Sequence, residues 1–189
     1  MNIISNNCCG GYFYDSLNQR QLNPFRYCWF DAESCFNIIN NYDKINFNKY
    51  ELTKDSKWMF YLNIDSQINV CMYHHHFDIN YKSPTKVGEN IRYCKIWEYI
   101  IEQYERRVKL MTEDPVFIID AGAFNGWNES KIKKFLELDF ARNTVFVVHQ
   151  KQFENKNKDN LKVIYTPKLA PKDIIEELGS QIQEFLMPV

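Results

Sequence analysis

Apolar and polar positions change rhythm along this chain, and each rhythm predicts an element. Between residues 93 and 111 the residues Tyr93, Trp97, Ile100, Ile101, Tyr104, Val108 and Met111 recur at helical spacing with charges opposite. That spacing predicts an amphipathic helix ending before Pro115. A second helix is predicted over residues 32–42, with Asp31 as N-cap and Cys35, Phe36, Ile38 and Ile39 on its apolar side. Near the start, residues 2–4 suit a short buried strand. Gly10 and Gly11 then give a tight passage into a helix over residues 12–17, which Asn23-Pro24-Phe25 breaks. Residues 58–64 and 68–73 are β-prone runs separated by Asp65-Ser66-Gln67, the spacing of a hairpin.

Beyond Pro115 the pattern alternates between strand and helix. Strands are predicted over 116–120, 144–148 and 161–165, and helices over 130–138 and 171–186. Continuous apolar strands alternating with helices predict an α/β fold, here a three-layer α/β/α arrangement with a mixed, largely parallel sheet. The length of 189 residues suits a single α/β domain spanning 1–189, with residues 151–160 as a polar mobile loop.

Composition narrows the partners. A formal net charge of −1 gives no electrostatic reason to expect nucleic acid or an anionic membrane as partner. No apolar stretch approaches the roughly 20 residues of a membrane span. Met1-Asn2-Ile3-Ile4 runs straight into polar residues, unlike a secretory leader. The six cysteines, Cys8, Cys9, Cys28, Cys35, Cys71 and Cys94, lack the density of a disulfide scaffold. A cytoplasmic protein with reduced thiols is the expectation, with no cofactor and with oligomeric state left open.

Two clusters carry candidate chemistry. Cys8 and Cys9 fall where a helix should begin, and unpaired N–H groups and the helix dipole there lower a thiol pKa. The flanking Asn6, Asn7, Gly10 and Gly11 could also expose backbone amides for an oxyanion. Alternatively, small residues simply let a helix pack closely on a strand, with the cysteines as small hydrophobes. The second cluster holds three of the four histidines, His74, His75 and His76, followed by Phe77-Asp78. In an extended strand His74 and His76 share a face with Asp78, which could orient a ring as the third member of a triad. Zinc competes for the same residue types, although no Cys-x-x-Cys pair or His-Glu-x-x-His helix is present. A polar strand end projecting imidazoles into solvent is the plainest alternative.

A third motif, Asp120-Ala121-Gly122 after the strand 116–120, has the look of the Asp-x-Gly loop of a nucleotide-binding methyltransferase. The position where a ribose-binding carboxylate is wanted reads Val147-Val148-His149-Gln150, and too little chain follows to complete such a fold. A strand-to-helix turn is the better account.

The run Ile4-Ser5-Asn6-Asn7-Cys8-Cys9-Gly10-Gly11, with Asn23-Pro24-Phe25 after it, resembles the opening of a bacterial domain family of unknown function described as exopolysaccharide biosynthesis proteins. A neighbouring family, described as papain-like cysteine peptidases, looks similar in more places. It shares an early cysteine (Cys8), a Pro-Phe followed by an aromatic (Pro24-Phe25 with Trp29), a later His-Asp element (His76 with Asp78) and an Arg-rich helix end (Tyr104-Glu105-Arg106-Arg107). The chain departs from that pattern where Arg26-Tyr27-Cys28 precedes Trp29 and where Phe77 separates His76 from Asp78.

What the resemblance implies is a cysteine-dependent hydrolase or acyltransferase, with a role in bacterial exopolysaccharide or capsule biosynthesis. Cys8 would attack an acyl carbonyl, His76 would carry the proton and Asp78 would steady the ring. Asn7, Cys9, His74, Arg106 and Arg107 would contact a small-molecule or saccharide substrate. The alternative is a non-catalytic carbohydrate- or protein-binding module of the same fold, whose aromatics, such as Trp29, Trp58 and Tyr73, pack a core or grip a sugar.

Overall fold

The computed structural model describes residues 2–7, 9–18, 24–25, 28–54, 60–71, 89–111, 114–122 and 126–187, with backbone alone for 54, 60, 89–97 and 99. Cys8, His74, His75, His76, Asp78 and Cys94's side chain lie outside the described set. Four strands, β1 (Ile3–Ser5), β6 (Val116–Asp120), β7 (Thr144–Val148) and β8 (Leu161–Tyr165), form one sheet in that order. All three of its pairings are parallel. Four further strands among the described residues, β2 (Trp29–Phe30), β5 (Ile68–Cys71), β4 (Phe60–Ile64) and β3 (Tyr50–Lys54), form an antiparallel sheet in the order β2-β5-β4-β3.

The α/β class expected from the sequence holds. The antiparallel strands form a sheet of their own because a hairpin closes locally. Asp65 and Ser66, at φ 50° and 57°, reverse the chain so that Ile64 pairs with Ile68. Two consecutive left-handed residues match the twist of a hairpin, and the polar side chains of Asp and Ser tolerate them.

Among the described residues five α-helices cover the sheets: α1 (Cys9–Ser16), α2 (Ala32–Asn41), α3 (Glu89–Val108), α4 (Glu129–Leu136) and α5 (Pro171–Leu186). Asp31 caps α2 as expected, accepting the Ser34 N–H at 2.7 Å, and Asn128 caps α4 through the Lys131 N–H at 3.0 Å. The segment 151–160 is more ordered than its polarity suggested. A 3-10 turn at Lys151–Phe153 buries Phe153, and Asn157 Oδ1 accepts the Val163 N–H of β8 at 2.8 Å.

Residues on successive positions of the parallel strands feed two different cores. Ile4, Phe117, Ile119, Phe146, Val148 and Val163 face one side, where α2, α3, α4 and the antiparallel sheet pack. Ile3, Ile118, Val145, Val147 and Ile164 face the other, against α1 and α5. Burial on both faces is why these strands read as unbroken apolar runs. An aromatic cluster fastens α4 to the first face: Phe135 lies 4.5 Å from Phe146 and 5.2 Å from Trp127, ring centroid to centroid.

The helix that follows β1 therefore lies on one face, and the helix that follows the neighbouring β6 lies on the other. In open α/β sheets such a reversal leaves a crevice outside the carboxyl ends of the two strands, between the diverging connections. Gly10 sets how close α1 comes to its strand, since a Cβ there would lie 2.7 Å from Ser5 Cβ. Gly179 in α5 has room, with Ile175 Cγ2 at 3.8 Å from the added carbon. Gly10→Ala should therefore destabilise by about 1–3 kcal/mol through overpacking. Gly179→Ala should stabilise by about 0.5–1 kcal/mol through helix propensity. Urea midpoints moving in the same direction for both would refute this placement of α1.

Candidate functional site at the carboxyl edge of the parallel sheet

Each parallel strand ends on a polar residue, and these residues bond to one another in sheet order. Asn6 and Asn7 follow β1, Asp120 closes β6, His149 follows β7 and Thr166 follows β8. Asn6, Asn7, Asp120 and Thr166 are buried, so their polar atoms must find partners inside the protein.

Asn6 meets that demand by extending the β1–β6 ladder with a side chain. Its Nδ2 donates to the Asp120 carbonyl at 2.8 Å, and its Oδ1 accepts the Asp120 N–H at 2.7 Å. Its own carbonyl accepts the Phe30 N–H at 2.9 Å, which ties β2 of the antiparallel sheet to the end of β1. Asn7 turns the other way. Its Nδ2 donates to Asp120 Oδ2, and its Oδ1 accepts the Cys9 N–H at 2.8 Å at the first turn of α1.

The Asp120 carboxylate meets three partners among the described residues. Besides Asn7, the Gly122 N–H reaches Oδ1 at 3.1 Å and His149 Nε2 lies 2.6 Å from the same oxygen. The far side of the imidazole is held as well: Nδ1 lies 2.9 Å from the Thr166 carbonyl. A carbonyl only accepts, so Nδ1 carries a proton. Nε2 faces a carboxylate, so a second proton there completes the pairing and favours the imidazolium form. Burial by itself pulls the His149 pKa down. The hydrogen bond and charge of Asp120, helped by the Thr166 carbonyl, outweigh burial and leave it above the ordinary value.

The other expected residues fall as follows. Cys9 is fully buried, its thiol donating to the Pro171 carbonyl at 3.8 Å between α1 and α5, and its N–H is engaged by Asn7 Oδ1. Asn7 stands at the crevice, bound to Asp120 and α1. Arg106 is exposed and donates to Gln103 Oε1 on its own helix at 2.5 Å, and Arg107 is half-buried on the same turn. The end of α3 packs near β3, where Tyr104 Oη donates to the Phe47 carbonyl at 2.8 Å. From there the chain enters β6 at Val116, the opposite end of that strand from Asp120. The structure does not bring the two arginines to the carboxyl edge. Cys8, His74, His76 and Asp78 lie outside the described residues.

Sequence reasoning passed over Asp120 and His149 as site residues. The Asp-x-Gly turn does connect strand to helix, as expected, yet its aspartate is the hub of the edge. The signal was present: a strand ending in Asp and its neighbour ending in His place both at one edge of a parallel sheet. Among the described residues no group of three or more His, Cys, Asp or Glu is placed to hold a metal, and no helix is long and apolar enough to cross a membrane. Scans against protein-family models and against curated proteins find no match for the chain.

Removing the Asn6 side chain would strip partners from both backbone groups of Asp120. Each buried polar group left unpaired costs about 1–3 kcal/mol. Asn6→Ala should therefore lower unfolding free energy by about 2–4 kcal/mol, measured by urea denaturation. A loss within experimental error of zero would show that water replaces the amide without cost.

Proposed function

We propose that the protein is a cysteine-dependent hydrolase or acyltransferase acting on a small polar substrate at the carboxyl edge between β1 and β6, with Cys8 as nucleophile. The observation that carries this reading is that both neighbours of Cys8 are fixed at the crevice. Asn7 is bound to Asp120, and Cys9 opens α1 with its N–H on Asn7. A helix start beside a paired carboxylate and imidazolium favours a thiolate more than a lone carboxylate would.

The register of the antiparallel sheet supports the second half of the reading. Cys71, the last residue of β5, pairs with Trp29, next to the Phe30 whose N–H reaches Asn6. The chain carrying His74, His76 and Asp78 departs from that point. His76 is five residues beyond Cys71, and an extended chain of that length covers up to ~17 Å, enough for an imidazole to approach the crevice. His76 would then relay the proton, with Asp78 as its orienting carboxylate. A role in bacterial exopolysaccharide or capsule assembly, with an acylated saccharide as substrate, rests on the family resemblance alone.

One observation favours a second reading, a non-catalytic carbohydrate- or protein-binding module. Both nitrogens of His149 and both carboxylate oxygens of Asp120 are already engaged within the protein, so this pair is built to hold rather than to exchange protons with a substrate. Native-state alkylation separates the two. Cys9, Cys28 and Cys35 are buried, so iodoacetamide should label Cys8 at least about tenfold faster than these three. An activated ester should give a burst that Cys8→Ser abolishes and His76→Gln slows. A slow Cys8 and no burst would leave the binding module.

A further inference from the structure

The ring of His149 makes two bonds that cannot both survive the loss of a proton. Nδ1 faces the Thr166 carbonyl at 2.9 Å and Nε2 faces Asp120 Oδ1 at 2.6 Å. A neutral ring with its proton on Nδ1 would set the Nε2 lone pair against a carboxylate oxygen. With the proton on Nε2, the other lone pair would face a carbonyl oxygen. Either contact turns repulsive. The ring bridges the two neighbours of its own strand, because β7 lies between β6 and β8.

We propose that His149 is a proton-dependent clamp: doubly protonated, it locks the carboxyl ends of β6 and β8 together, and loss of one proton releases the lock and loosens the crevice at β1 and β6. This goes beyond the proposed reaction and does not depend on Cys8. Release spreads from the ring because Asp120 is shared. Its carboxylate also receives Asn7 and Gly122, and Asn7 in turn holds the start of α1 through Cys9. On the other side, Thr166 accepts the Lys168 N–H at 3.0 Å through Oγ1 and donates that hydroxyl to Glu177 of α5 at 3.3 Å.

Several charged or titratable groups face the ring and its partners among the described residues. Asp120 comes from β6, Glu177 from α5 and the Cys35 thiol from α2. Lys168 meets the cluster through its backbone alone. Burial, with Asp31 and Asp120 adding to it against a hydrogen bond from Asn6, pushes the Cys35 thiol well up, so it stays protonated near neutrality. His149 stands above its ordinary value in the folded protein. Its contribution is therefore complete below the unfolded value of about 6.5. It disappears as pH rises through the higher folded value, so stability falls on the alkaline side.

Two wild-type measurements test the clamp. The His149 ring, identified by NMR through the signal lost in His149→Gln, should show both nitrogens protonated at low pH and a midpoint above 6.5. Across that midpoint the Gly122 and Cys9 amides, corrected for intrinsic exchange, should lose protection from hydrogen exchange by about tenfold or more. Asp120→Asn keeps the shape without the charge and should lower the ring midpoint by about one unit or more. Should His149→Gln fail to fold, the Asp120→Asn shift assigns the ring and the wild-type profiles still decide. A midpoint at or below 6.5, or protection that stays flat while the ring titrates, would overturn the proposal.

Discussion

A row of side chains carries the parallel sheet one step past the ends of its strands, and the candidate site exists because of it. The strands end at Ser5, Asp120, Val148 and Tyr165. At that edge the order β1-β6-β7-β8 is repeated by Asn7, Asp120, His149 and the Thr166 carbonyl, each bonded to the next. Four strand ends and the starts of α1 and α5 would otherwise present unpaired buried groups to one another. A buried polar group without a partner costs more than most single contacts gain, so the edge is complete or unstable.

The choice of residue types follows from that constraint. Asparagine is both donor and acceptor on one planar amide, and a strand's backbone offers that same pair. Asn6 can thus stand in for a missing strand residue against Asp120, while Asn7 joins a carboxylate on one side to an amide N–H on the other. Alanine could do neither. Histidine completes the row because, doubly protonated, it is a rigid two-headed donor that spans two acceptors on opposite sides. A charged lysine would satisfy Asp120 but could not reach Thr166 with fixed geometry. The carboxylate and imidazolium together are neutral, which limits the cost of burying them.

Local patterning made most of the scaffold legible. The strands 116–120, 144–148 and 161–165 and the helix 171–186 coincide with β6, β7, β8 and α5 because runs of Val, Ile and Phe bounded by turns leave few alternatives. The Asp65-Ser66-Gln67 hairpin was legible from spacing alone. Trp29–Phe30 and Tyr50–Lys54 were not, since a two-residue strand has no period and Tyr50-Glu51-Leu52-Thr53-Lys54 exists as a strand only by pairing with β4. The glycines at 10 and 11 were read as preceding a helix, whereas α1 begins at Cys9 and contains them, a packing choice set by Ser5 rather than by propensity. The site was less legible than the scaffold. His149 was weighed only as the wrong residue for a ribose contact, because its partner Asp120 is brought to it by sheet order and not by sequence spacing.

The two sheets meet where the chemistry is expected. Phe30 donates to Asn6, so the antiparallel sheet is anchored at the carboxyl end of β1 rather than along its length. That anchor sits one pair of residues from Cys71, where β5 ends. The same backbone bond therefore fixes where α1 begins relative to β1 and where the histidine-bearing chain departs. A slip of one residue in the β2–β5 register would turn every inward side chain of that strand outward. It would also move the exit of β5 away from Asn6. The point at which the chain leaves β5 is thus set by hydrophobic register in a sheet that contributes none of the polar row itself.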